Sequence, residues 1–121
     1  MEHKAEAMTK FFQEQIARCE ADRQALLRDD RGDEATFQRI RGNIFDIFRT
    51  VLSVAVQNCT GDEAIGAFFS LRLEQIPGSW LRSLEAARER DDTETVCLEQ
   101  LKLETVEQIR DAFRSIWEVA Q

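Results

Sequence analysis

Apolar residues recur at three- and four-residue spacing along almost the whole chain, the period of a helix with one buried face. Four breaks interrupt that period: Asp29-Asp30-Arg31-Gly32-Asp33, Asn58-Cys59-Thr60-Gly61, Ile76-Pro77-Gly78-Ser79 and Asp91-Asp92. Each is rich in residues that end helices and open turns. Two carry the signature of a capping box, an acceptor side chain followed three residues later by a carboxylate: Thr60 with Glu63, and Asp91 with Glu94. Asp33 is a further candidate N-cap.

The intervals between breaks run to about 27, 25, 15, 12 and 28 residues. The third and fourth together match the others in length. The expected architecture is therefore all-α: an antiparallel up-down-up-down four-helix bundle in five helical segments, with the third helix broken at Pro77-Gly78. At about 1.5 Å per residue the long rods reach about 40 Å. A single helical-bundle domain over residues 1–121 accounts for the length.

Each segment has a face. In the first, Ala5, Met8, Phe12, Ile16, Cys19, Leu26 and Leu27 share one arc, with Phe11 outside it. In the fifth, Leu98, Leu101, Val106, Ile109, Ala112, Phe113, Ile116, Trp117 and Val119 form a wider arc opposite Glu104, Glu107, Asp111, Arg114 and Glu118. The second segment differs: its apolar positions, from Phe37 to Val56, cover an arc of about 200°. Either neighbours pack it on three sides, or part of it meets another protein. Phe45, Ile47, Leu52, Val54 and Val56 are the candidate interface positions.

Composition narrows the class. The chain is 43% apolar and 32% charged, with five glycines and one proline, enough apolar material for a core without staples. Its net charge is −7, with most of the acidic excess beyond Gly61. An acidic chain lacks the basic stripe that phosphate backbones require, so no nucleic-acid role is expected. No apolar run approaches the roughly 20 residues of a membrane span, and the first residues lack the apolar core of a signal peptide. Cys19, Cys59 and Cys97 are odd in number and widely spaced, neither a disulfide framework nor a zinc signature. The expected location is the cytoplasm.

Little ordinary chemistry can be assembled from these residues. Tyrosine is absent and His3 is the one histidine. A ferritin-like carboxylate site needs a Glu-x-x-His motif on each of two helices, and haem and zinc sites lack ligands. No glycine-rich phosphate loop occurs, since Gly32, Gly42, Gly61, Gly66 and Gly78 are isolated. No metal, cofactor or catalytic group is expected.

One polar pattern stands out. Arg23, Arg41 and Arg72 fall inside the apolar arcs of the first, second and third segments. Folding about Gly32 brings Arg23 level with Arg41, and folding about Gly61 brings the Pro77-Gly78 break near the same height. Two guanidiniums beside a broken helix suit a small anionic ligand such as a carboxylate or phosphate. Both arginines also lie near helix ends, where their stems can cover the core while the heads reach water and nearby acids. Trp80 and Trp117 read as packing residues or as interface anchors. The functional expectation is a non-catalytic protein-interaction or self-associating module, a homodimer through the second segment, with a small anion-binding bundle using Arg23 and Arg41 as the alternative. The fold itself does not choose between them.

Overall fold

The computed structural model describes residues 3–118, so Val119, assigned above to the fifth apolar arc, lies outside the described residues. The described residues form five helices and no strand: α1 His3–Arg28, α2 Gly32–Asn58, α3 Asp62–Gln75, α4 Gly78–Glu89 and α5 Thr93–Trp117.

The helix ends explain the turns, and they correct the expected caps. α1 and α4 both finish in an aspartate with left-handed backbone, Asp30 at φ 58° and Asp91 at φ 55°. In each, the residue after it bonds five positions back (Arg31 N–H to Leu26 O, 2.9 Å; Asp92 N–H to Ala87 O, 2.9 Å), the Schellman arrangement usually built on glycine. Because Asp30 takes the left-handed position, Gly32 is the first residue of α2 rather than the turn residue. Asp33 lies in the first turn of α2, where its charge suits the helix dipole, and is not the cap. Because Asp91 is similarly occupied, the cap of α5 is Asp92, whose carboxylate accepts from Thr95 N–H at 3.2 Å and from the Thr95 hydroxyl at 2.7 Å. Gly61, at φ 89°, stands at the N-cap of α3 in place of Thr60.

The third break is a bend rather than a reversal. Ile76 and Pro77 both keep right-handed helical backbone. Proline cannot donate to the carbonyl four residues back, which here is Leu73 O; Arg110 of α5 donates to it from Nη2 instead, at 3.4 Å. The bend sends the two halves of this rod to different neighbours. α3 packs against α2 and α5, whereas α4 packs substantially against α5 alone.

Aromatic rings tie four helices together. Phe69 of α3 meets Phe12 of α1 (6.2 Å between centroids), Phe48 of α2 (6.3 Å) and Phe113 of α5 (5.1 Å). Such tilted and edge-on pairs add to the burial of their area. The contacts also fix direction. Phe11 faces Phe45 while Cys19 approaches Gly42, so α1 and α2 run opposite ways. Asp62 meets Trp117, Phe69 meets Phe113 and Leu73 meets Arg110, so α3 and α5 do too. Phe11, outside the α1 arc, nevertheless packs on Phe45, and Leu27, at the edge of that arc, is exposed.

Candidate functional site

Arg41 reaches from α2 into a cleft of about 430 Å³ between α1, α2 and α5. Gln15, Arg18 and Asp22 of α1, Gln38 of α2 and Gln108 and Asp111 of α5 form its other polar walls. Arg41 Nη2 donates to Gln108 Oε1 at 3.1 Å, while its Nε is buried without an acceptor. Cys19 lies at the same cleft, and burial raises its thiol above the ordinary value, against the opposing pull of Arg41.

Arg23 does not join Arg41 there. It forks onto Glu20 of its own helix, Nε to Oε2 at 3.0 Å and Nη2 to Oε1 at 2.6 Å. The cation that α1 brings to the cleft is Arg18, five residues earlier and so about 140° around the helix. Nor does the broken helix reach Arg41. Pro77 and Gly78 lie beside Leu103, Glu107 and Arg110, on the side of α5 away from Gln108. Arg72 lies over the ring of Phe68, 4.6 Å from its centroid.

The candidate interface positions separate in the same way. Phe45 and Leu52 are core residues, 0% and 1% exposed, and offer nothing to a partner. The wide apolar arc of α2 is met by α1, α3 and α5, which cover most of it. Ile47 and Val54 remain exposed, seven residues apart on one flank. Gly42 marks the flank against α1, and Ile47 and Val54 point well away from it. Val56, two residues beyond Val54, is exposed on the opposite flank.

α3 continues the first of these faces. Its Ser70 and Glu74 border α5, and Phe68 lies on the other side of the buried Phe69, under the guanidinium of Arg72, while Leu71 is exposed. No charged residue occurs from Thr50 to Thr60 or from Ala64 to Leu71 in a chain that is 32% charged. Sequence reading confined to α2 named Ile47 and Val54 but not Leu71, for which the second uncharged run was the signal.

Periodicity also passed over Glu99. Its side chain is buried between α4 and α5, paired with Lys102 Nζ at 2.9 Å, and that ammonium lies 5.7 Å from the ring centroid of Trp80. Its signal was position: Glu99 lies seven residues before Val106, on the same inner face. Trp117 packs on Phe113 and donates from Nε1 to Asp62 O at 2.8 Å.

Among the described residues no three His, Cys, Asp or Glu side chains gather as a metal-binding group. No helix among them is long and apolar enough to cross a membrane. No protein-family model matches the sequence, and no curated protein or solved structure is significantly similar to it.

Proposed function

We propose that the chain is a non-catalytic, cytoplasmic interaction module that pairs with a second copy of itself through exposed apolar positions of α2 and α3. The observation that carries this reading is that exposed Val54 and Leu71 fall in two charge-free runs, with exposed Ile47 seven residues before Val54 on the same flank of α2. Depletion of charge at the centre of a patch is the compositional mark of protein interfaces. A like copy suits it because the rest of the molecule carries the net charge of −7, and two such molecules repel least where neither is charged. A two-fold pairing sets the same patch against itself, as most homodimers do. Free thiols at Cys19, Cys59 and Cys97 fit a reducing compartment.

Sedimentation velocity tests the reading directly. A dimer is expected at micromolar concentration, with Val54→Glu and Leu71→Glu shifting it to monomer while Val56→Glu, on the other flank, leaves it paired. A parent chain that stays monomeric at high micromolar concentration overturns the proposal.

A further inference from the structure

Several arginines of α1, α2 and α5 are satisfied locally. Arg23, Arg49, Arg110 and Arg114 each hold an acid three residues away. At the cleft between these helices the pattern changes. Arg18, Arg41 and Asp22 line it, and among the described residues none of the three forms an ion pair, although Arg18 and Asp22 are one turn apart on the same helix. The fourth charged group there, Asp111, is already bound to Arg114 at 3.2 Å.

The hydrogen bonding of Arg41 is half complete. A guanidinium presents two parallel N–H groups along its Nε–Nη2 edge, a fork that a carboxylate meets with two oxygens. In Arg41, Nη2 reaches the single amide oxygen of Gln108 and Nε reaches nothing. A buried donor without an acceptor is costly, and such groups are rare in native interiors. Gln108 is an exposed side chain at the rim and can swing aside.

We infer that this cleft binds a small zwitterion of the α-amino acid type. Its carboxylate takes the Nε–Nη2 edge of Arg41 in place of the Gln108 amide, with Arg18 as the second cation, and its ammonium group meets Asp22. A zwitterion is preferred to a simple anion because Asp22, which forms no ion pair among the described residues, offers the ammonium group a partner that an anion cannot use. The cleft volume of about 430 Å³ lies within the usual range of small-molecule sites. The site borders α1 and α5, and Ile47, Val54 and Leu71 are not among its lining, so it stands or falls independently of dimer formation.

The test is titration of the full chain with the proteinogenic amino acids, followed by calorimetry and by amide shifts in NMR spectra. For each that binds, the matching acid without the amine and amine without the acid are titrated alongside. Saturable binding is expected, with shifts concentrated at residues 15–22, 38–42 and 108–111. Each truncated analogue should bind about tenfold more weakly or worse. Arg18→Gln and Asp22→Asn, both at exposed positions that leave the fold intact, should weaken binding by a similar factor, as should Arg41→Gln. The inference is overturned if no amino acid binds saturably at about 10 mM, if the acid lacking the amine binds equally well, or if Asp22→Asn binds as the parent does.

Discussion

A β-carbon at Gly66 would lie 2.2 Å from Nε1 of Trp117, closer than any real contact of that kind. The bare backbone of α3 is the surface on which the indole lies, and the indole in turn bonds Asp62 O one turn earlier. Two effects then oppose each other in Gly66→Ala. Alanine favours a helix interior over glycine by about 1 kcal/mol, while forcing a methyl group into a filled site costs about 1–3 kcal/mol. Net destabilisation is expected in the parent. In a Trp117→Leu background the clash disappears, and the same substitution should become stabilising. Urea denaturation of the four chains measures both signs; equal effects in the two backgrounds would refute the contact.

Arg110 and Pro77 form a second coupled pair. The guanidinium supplies Leu73 O with the donor that proline lacks. Arg110→Gln should cost about 0.5–1.5 kcal/mol, the ordinary worth of such a bond. In Pro77→Ala the backbone N–H reaches Leu73 O itself, so the cost of losing Arg110 should shrink. A double-mutant cycle by thermal denaturation gives the coupling directly.

The left-handed positions invert what the sequence suggests. Asp30 and Asp91 adopt positive φ, whereas Gly32 lies in helical backbone with open space where its β-carbon would be. Asp30→Gly and Asp91→Gly should each stabilise by about 0.5–1 kcal/mol, relief of left-handed strain outweighing glycine's extra freedom when unfolded. Gly32→Ala should stabilise by up to about 1 kcal/mol. Melting temperatures of the single variants are the measurement, and a loss of stability in Gly32→Ala would contradict the helix start.

Burial holds the Cys19 thiol above its ordinary 9.0 despite Arg41 nearby. Below pH 9.0 the thiol is protonated in both folded and unfolded chains, and its contribution is constant. Above it the unfolded chain ionises first, so stability falls as the pH rises toward the folded value. The drop in urea midpoint between about pH 8 and pH 10 should be smaller in Cys19→Ala than in the parent. In the native protein the exposed Cys97 should react with a thiol reagent well before Cys19 does.

Much of the fold was legible because it is written locally. The period of apolar residues placed all five helices, and Pro77 placed the bend. The same period puts Phe69 near the centre of the α3 face and Phe68 at its edge, and the structure has them buried and half-buried. The cap of α5 was displaced by one residue and that of α2 by two because Asp91 and Asp30 took left-handed positions expected of glycine. Of the two readings of Arg23, the structure has the one in which its head meets a nearby acid, because Glu20, three residues away on its own helix, outcompetes a partner on another.

The sequence by itself determined which segments are helices and which residues each turns inward, since both follow from the 3.6-residue period and from turn chemistry within a few positions. Only the tertiary structure decided which flanks meet. The bend at Pro77 commits α3 to α2 and leaves α4 to α5, and the rotation of each rod buries Phe45 and Leu52 while baring Ile47 and Val54. The same rotation brings Arg18 rather than Arg23 to Arg41. Those choices depend on how rings such as Phe12, Phe48, Phe69 and Phe113 interlock across four helices, a packing relation between distant residues that no local pattern encodes.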